Sequence, residues 1–285
     1  MLSATAHTAS SAATRAFAHT IARAATRSLY VELTTTPKPG LVCPGDNGSH
    51  PDMAAATLLR SLFALRHYFH AVTAAAARAA PFTELQRLGI AAESRMLAAT
   101  GGVNAHRGAI FNIGLLAAAC GDLYRRQEPL TPGTLSRTVR ARWSPAICEM
   151  RPLAPSHGLA VAARYGAGGA RLEAARGYPS IFDVALPALR QALHSGLTRR
   201  RALVQTLFAL IAHLEDTNLL HRGGLDGLRF ARTAAKNFLA CGGTTRPDWE
   251  TRAYAIRDDF VARNLSPGGA ADLLAATWFV HTVTS

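Results

Sequence analysis

Polar side chains able to take part in catalysis are concentrated in one segment of the chain, residues 34–53. The segment reads TTTPKPGLVCPGDNGSHPDM and contains four prolines and three glycines, which disfavour regular structure. It supplies a cation, carboxylates, an amide and an imidazole through Lys38, Asp46, Asn47, His50 and Asp52. Connectors between helices are usually shorter and chemically plainer. We therefore interpret residues 34–53 as a binding loop suited to phosphate.

A second polar segment, residues 101–108, reads GGVNAHRG and separates two helical patterns. It places Asn104, His106 and Arg107 at the start of a helix, where free backbone N–H groups favour anions. The segment is therefore a candidate phosphate site. A glycine that ends one helix, followed by an Asn that caps the next beside a solvated Arg, explains the same residues. Both interpretations stay open.

A third polar segment, residues 215–224, reads EDTNLLHRGG and follows an apolar helical stretch. A carboxylate is poorly placed at the C-terminus of that stretch, because a helix C-terminus already carries partial negative charge. A cation would relieve the conflict, and Mg²⁺ commonly binds through one or two carboxylates plus substrate phosphates. Asp216 is thus a candidate magnesium ligand. A simple ion pair between Asp216 and Arg222 is the alternative.

A fourth polar segment, residues 264–272, reads NLSPGGAAD. Ser266 and Pro267 suit the start of a helix. The consecutive glycines Gly268 and Gly269 lower helix propensity, but they would let a ligand approach the backbone closely. We interpret the segment as a further set of N–H donors, with Asp272 as a candidate metal or hydroxyl contact.

Helical periodicity accounts for nearly everything between these segments, and strand signals are almost absent. Helices are predicted in the first thirty residues and over 53–80, 84–99, 110–119, part of 159–176, 181–195, 197–214, 225–240, 249–263 and 270–284. The stretch 110–119 is apolar all round, as in a central helix. We expect an all-α fold, a single-domain multi-helix bundle over residues 1–285 with active-site loops between the helices.

The charge and length narrow the class of protein. A chain of 285 residues with 49% hydrophobic content can bury a sizeable core. Its net charge of +13 would suit a nucleic-acid partner, but Lys38 and Lys236 are the only lysines and the arginines are scattered through alanine-rich helices. Scattered arginine equally suits solvated helix faces or a polyanionic small molecule. Nucleic-acid binding is therefore not predicted.

The cysteines and the apolar segments bear on where the protein works. The four cysteines lie far apart, without the close pairs of zinc or redox sites, which favours reduced thiols. The first thirty residues lack an acid, as transit peptides do, but their periodicity favours a helix. The longest uncharged, predominantly apolar segments are too short to span a bilayer. We expect a soluble, cytoplasmic protein without a membrane partner.

In their order along the chain, these segments resemble the triphosphoribosyl-dephospho-CoA synthase family. The matching stretches are TPKPGLV at 36–42, DNGSH and DM within 46–53, GVNAHRGAIF at 102–111, DTN at 216–218, RGG at 222–224 and SPGGAADLL at 266–274. The form CPGDNGSH resembles the malonate decarboxylase branch more than the citrate lyase branch. Two positions depart from the family pattern, since Ala105 and Ser156 stand where Thr is usual.

The resemblance implies a reaction. The ribose 2′-hydroxyl of 3′-dephospho-CoA would attack C1′ of the ATP ribose, displace adenine and retain the triphosphate. The product would be the prosthetic-group precursor for the acyl carrier protein of malonate decarboxylase, or alternatively of citrate lyase, upstream of a holo-acyl-carrier-protein synthase. A non-catalytic maturation protein that binds the cofactor and a basic nucleic-acid-binding helical protein are less favoured. Mg²⁺ is expected with ATP, and a homodimer is left open.

The expected site draws on every polar segment. Catalytic candidates are Asp216, His106 and Asp52, with Asp216 preferred as general base because it follows a buried helix, and with His50 as a further competitor. Substrate-binding candidates are Lys38, Asn47, His50, Asn104, Arg107, Asn218, Arg222, Gly268 and Gly269. Magnesium candidates are Asp46, Asp52 and Asp216. No Walker-type phosphate loop is present, so separate loops would have to assemble the site.

Overall fold

The helices dominate the computed structural model, which describes residues 11–150, 161 and 164–285. They are α1 (Ser11–Thr34), α2 (Ala55–Ala77), α3 (Phe82–Thr100), α4 (Arg107–Arg125), α5 (Pro132–Glu149), α6 (Gly169–Ala175), α7 (Leu186–His194), α8 (Arg199–His213), α9 (Thr217–Ala240), α10 (Trp249–Ala262) and α11 (Gly268–Val283). A π-helical turn, Ser180–Ala185, leads into α7, and a 3₁₀ turn, Gly243–Thr245, precedes α10. No strand occurs in the described ranges, so the predicted all-α fold is confirmed.

Helix α4 lies at the centre of the bundle, and 14 of its 19 residues are buried. Two glycines let α2 pack closely against it. A Cβ at Gly114 would lie 2.0 Å from the Tyr68 hydroxyl oxygen, and one at Gly121 would lie 2.2 Å from the carbonyl oxygen of Thr73. The predicted central helix is confirmed, and it extends beyond 110–119 at both ends.

Some boundaries differ from the predictions. Helix α5 was not predicted. Pro132 occupies its first turn, where the missing N–H costs nothing, and Thr131 caps that turn. A helix was predicted over 225–240, but α9 begins at Thr217. Its first turns end at a break at Gly224, where φ is 60°. Helical spacing places Phe63 with Leu62 and Phe69 on one apolar face of α2, but Phe63 is 60% exposed. The prediction within 159–176 falls partly outside the described residues.

The loop between α1 and α2 is fastened to α10 and to the connection between α10 and α11. Arg257 forms a bidentate pair with Asp46, with 2.8 Å between Nε and Oδ2. The Ser49 hydroxyl donates to the carbonyl oxygen of Leu265 at 2.7 Å. Gly40, at φ +66°, passes so close that a Cβ would lie 2.0 Å from that same oxygen. Much of the loop's polar chemistry therefore holds the loop in place.

Candidate active site

A cavity of about 1100 Å³ lies where the N-termini of α4, α9 and α11 meet. Helix N-termini present free N–H groups and partial positive charge, so their convergence favours an anionic ligand. Nine of the predicted site residues line this cavity: His50, Asn104, His106, Arg107, Asp216, Asn218, Arg222, Gly268 and Gly269. Residues from all four polar segments are thus brought to one place.

Asp216 joins two of these helices. It is the N-cap of α9, where Oδ1 accepts from the backbone N–H of Asn218 at 2.8 Å and of Leu219 at 3.4 Å. Its Oδ2 accepts from the N–H of Ala270 at 2.9 Å, in the first turn of α11. Burial raises the pKa of Asp216, and these N–H donors oppose that effect. The alternative ion pair with Arg222 is not formed.

Glycines at the starts of α4 and α11 let these helices approach the side chains of Asp216, Asn218 and Asp272 closely. A Cβ at Gly269 would lie 3.0 Å from Asp216 Oδ2, and one at Gly268 would lie 2.8 Å from Asn218 Nδ2. At the start of α4, a Cβ on Gly108 would lie 1.9 Å from Asp272 Oδ2. The paired glycines of residues 264–272 are therefore explained by close packing of helix N-termini.

Asp272, a candidate metal or hydroxyl contact in the sequence, also lines the cavity, and so does Glu32, which was not predicted as a site residue. Burial raises the pKa of Asp272 well above its usual range, and the nearby charges of Glu32 and Asp216 raise it further. An N–H donor, that of Ala109, opposes the shift. Asp272 falls one turn after the paired glycines, and this spacing is the signal that pointed to it. Glu32 lies inside a helical pattern that gives no such signal.

His106 is a buried residue of the cavity wall with one free ring nitrogen. Its Nδ1 lies 2.6 Å from Ser61 Oγ, whereas its buried Nε2 has no hydrogen-bond partner in the described part of the chain. Burial lowers the pKa of His106 to about 4, with a further contribution from the charge of Lys38. His106 is therefore a neutral imidazole at pH 7, with Nε2 free for a ligand.

The second polar segment fits both of its interpretations at once. Gly101 ends α3 in the left-handed conformation, and Asn104 Oδ1 accepts from the N–H of Arg107 at 3.2 Å. Arg107 is not simply solvated, since its Nε donates to Glu93 Oε1 at 2.6 Å. Asn104 and Arg107 nevertheless line the cavity, as does the partly buried Ala105.

Arg222 and His50 connect three of the polar segments. Arg222 Nη1 donates to the carbonyl oxygen of Ser49 at 2.8 Å and to Asn264 Oδ1 at 2.9 Å. Its Nη2 donates to His50 Nδ1 at 3.2 Å, so the proton of His50 is on Nε2, which donates to Ser266 Oγ at 2.8 Å. Burial and Arg222 lower the pKa of His50. Both side chains thus hold the wall together as well as facing the cavity.

Four predicted site residues lie away from the cavity lining. Lys38 is buried, and its Nζ lies 2.5 Å from Glu32 Oε1. Asp46 is held by Arg257, and Asn47 and Asp52 are exposed at the surface. A substrate contact for each of these residues remains a prediction.

The predicted magnesium ligands do not come together. Asp46 and Asp52 lie outside the cavity that Asp216 lines. Within the described ranges, no group of three or more His, Cys, Asp and Glu side chains is placed to hold a metal ion. The set of three carboxylates therefore does not fit a protein-built magnesium site.

Three further arginines line the cavity: Arg171, Arg176 and Arg232. Arg171 donates to the carbonyl oxygen of Met150 at 2.8 Å, and Arg232 to that of His213 at 2.9 Å. The Arg176 side chain makes no hydrogen bond or ion pair with another described residue, and only its backbone N–H donates, to the Leu172 carbonyl oxygen. Sequence reasoning missed these three because an arginine facing a cavity and one facing solvent give the same helical pattern.

Comparison with known proteins decides the class of enzyme. Residues 18–285 match the model of the CitG family, described as ATP:dephospho-CoA triphosphoribosyl transferase. The chain belongs to this family. The resemblance drawn from the six motifs is thereby confirmed, and so is the expectation that the protein is an enzyme.

Curated relatives support membership of the family along the chain. A probable 2-(5″-triphosphoribosyl)-3′-dephosphocoenzyme-A synthase of Acinetobacter calcoaceticus is 39% identical over 90% of this chain and 88% of its own. The synthase of Pectobacterium atrosepticum is 40% identical over 89% of this chain and 86% of its own. No solved structure gives a significant match. Ser156, the second departure from the family pattern, lies outside the described residues.

The sequence predicts apolar segments too short to span a bilayer. Among the described helices, none is both long enough and apolar enough to cross a bilayer.

Proposed function

We propose that this chain transfers the triphosphoribosyl group of ATP to the ribose 2′-hydroxyl of 3′-dephospho-CoA and releases adenine. The activity by which the family and its relatives are named supports this. The structural observation that carries the proposal is the pair of carboxylates, Asp216 and Asp272, at the meeting point of three helix N-termini. The three helix N-termini thus offer partial positive charge to a triphosphate, and the two carboxylates beside them offer negative charge to a reacting sugar.

Asp272 suits the role of general base better than Asp216. Both carboxylate oxygens of Asp216 accept hydrogen bonds from backbone N–H groups of α9 and α11. Asp272 has a raised pKa and lines the same cavity, so its carboxylate can take the proton of the attacking 2′-hydroxyl. As the C1′–N bond breaks, positive charge develops on the sugar, and the remaining negative charge of Asp216 stabilises it. Asp216 is therefore assigned to positioning and electrostatics.

His106 is proposed to assist the departing adenine. With the Ser61 hydroxyl donating to Nδ1, the neutral ring carries its proton on Nε2, which is buried and free. That N–H can donate a hydrogen bond to a ring nitrogen of adenine as the electron pair of the broken C1′–N bond passes to the base. The proton that Asp272 takes from the 2′-hydroxyl balances the one that neutral adenine finally carries. The triphosphate is not cleaved, so the helix N-termini and the arginines of the cavity only have to hold it.

Magnesium is proposed to enter as part of the substrate, bound to the triphosphate. Mg²⁺ usually keeps phosphate and water ligands and needs only one or two carboxylates. This fits a site in which the three predicted aspartates lie apart. Adenine release that persists unchanged in excess chelator would contradict it.

The experiment follows adenine release from ATP and 3′-dephospho-CoA. The wild-type protein should release many equivalents of adenine per chain; none would refute the proposed function, and about one equivalent would indicate a handover protein. Asp272→Asn should lower kcat about 10²–10⁴-fold, the usual contribution of a general base. The matched control is Asp226→Asn, at an aspartate whose side chain is 93% exposed. Near-normal kcat for Asp272→Asn would remove it from the reaction.

We also propose that the product serves malonate decarboxylase. The support is the form CPGDNGSH at 43–50, whereas the family match does not determine the route and itself suggests citrate lyase. Because both routes use the same product, the test is a gene deletion. Loss of the prosthetic group from the malonate decarboxylase carrier protein alone would support the proposal, and loss from the citrate lyase carrier protein alone would overturn it.

A further inference from the structure

One face of α3 lines the active-site cavity for several turns, and the catalytic proposal makes no use of it. The residues recur at helical spacing: Phe82, Leu85, Gln86, Gly89, Ile90 and Glu93. At a rise of 1.5 Å per residue, this face is about 16 Å long. Phe111 and Leu115 of α4 line the same cavity. We call these eight residues the α3 groove.

The α3 groove is mainly apolar. Ile90 is 39% exposed although it is a large hydrophobic residue. Gln86 carries a side-chain amide that has no hydrogen-bond partner in the described part of the chain. An apolar lining with a few placed polar groups is typical of a small-molecule site. The groove thus suits a long uncharged chain that contains amides.

The groove joins the reaction centre in a definite order. Gly108 lies against Asp272, the proposed base, and the preceding residue, Arg107, is paired with Glu93 of α3. From Glu93 the groove runs along α3 toward Phe82, away from the reaction centre. Moving outward from the reaction centre, a ligand therefore meets a carboxylate, then a cation, and then an apolar channel.

We propose that the α3 groove binds the pantetheine arm of 3′-dephospho-CoA, with Arg107 at the diphosphate. This inference rests on the proposed function. In that substrate the ribose hydroxyl is followed outward by the 5′-diphosphate and then by a long uncharged arm with two amides. ATP has no uncharged part beyond its triphosphate. The order of groups in the acceptor therefore matches the order of surfaces in the protein, and the groove sets the specificity for the acceptor.

Gly89→Leu tests the proposal by filling the groove. A Cβ at Gly89 meets only the Tyr68 hydroxyl oxygen, at 3.6 Å, which is an ordinary contact. Leucine is also the better helix former, so α3 should stay intact. We expect KM for 3′-dephospho-CoA to rise at least tenfold, while KM for ATP and kcat at saturation stay within twofold. The control is Gly133→Leu, at an exposed helical glycine with nothing near its Cβ position.

Ile90→Asp is a second variant that does not depend on added bulk. It places a charge in the apolar channel and should raise the same KM, whereas Phe63→Asp, at an exposed residue of α2, should not. An unchanged KM for 3′-dephospho-CoA in both groove variants would overturn the proposal. A rise in KM for ATP alone would also overturn it, by assigning the groove to the donor. Absence of adenine release by the wild-type protein would instead refute the function itself.

Discussion

Replacing Lys38 with methionine separates a structural from a substrate-binding role for this lysine. Its side chain is 1% exposed, and its Nζ lies 2.5 Å from Glu32 Oε1 and 2.8 Å from the Glu32 carbonyl oxygen. Glu32 itself is only 10% exposed. Lys38→Met would therefore leave a buried carboxylate without its cation.

The expected cost follows from that burial. Breaking a buried ion pair by removing one partner costs about 3–5 kcal/mol, because the remaining charge is uncompensated. Native proteins are stable by only about 5–15 kcal/mol, so the loss is a large share of the total. In thermal unfolding followed by circular dichroism, the midpoint should fall by about 10 °C. Lys236→Met, at an exposed lysine, should change the free energy of unfolding by no more than about 0.5 kcal/mol.

A double variant provides the internal check. Lys38→Met combined with Glu32→Gln removes both charges and should recover most of the lost stability, since the penalty belongs to the unpaired carboxylate. The reasoning is refuted if Lys38→Met lowers the free energy of unfolding by less than about 1 kcal/mol. If KM for ATP rises at the same time, the contact with the triphosphate expected from the sequence is the better account.

Two further predictions concern Asp272. Gly108→Ala places a methyl group 1.9 Å from the original position of Asp272 Oδ2 and must displace the carboxylate. Because a catalytic group misplaced by near 1 Å can cost about 10²-fold, kcat should fall about 10²-fold. An unchanged kcat would argue against Asp272 as the general base. Burial and the charges of Glu32 and Asp216 raise the pKa of Asp272, so ionised Asp272 destabilises the folded state. This destabilisation is absent at low pH and grows as pH rises through the raised pKa. Asp272→Asn should therefore raise the unfolding midpoint at pH 7, with a difference that narrows as pH falls toward about 4; a lower midpoint at pH 7 would contradict this sign.

The helices could be predicted because periodicity is a local property. The apolar stretch within α4 and the amphipathic patterns of α2 and α3 locate these elements within a few residues. Helix α5 shows the limit of the approach. Pro132 lies in the first turn of this helix, which Thr131 caps, and Pro145 lies inside it, so the prolines do not mark a loop.

That residues of the four polar segments meet at one candidate site could be predicted, but the contacts of their side chains could not. Gly, Asn and Asp at helix starts identify the converging N-termini without knowledge of the fold. Whether a polar residue faces a ligand or fastens a loop depends on distant partners. Asp46 is 211 positions from Arg257 in the sequence, and nothing in the sequence pairs them. The same holds for Asp272, whose neighbour Gly108 lies on another helix.

Helix α11 follows every other element of the site in the chain, so it also leaves the ribosome after them. Domains begin to fold from the N-terminus during synthesis, while later segments are still being made. Until α11 docks, Asp216 lacks the Ala270 N–H, and the cavity has neither its paired glycines nor the carboxylate of Asp272. A nascent chain therefore has no complete place to bind and cleave a nucleotide. Under the proposed function, a chain can react with ATP only after α11 has docked.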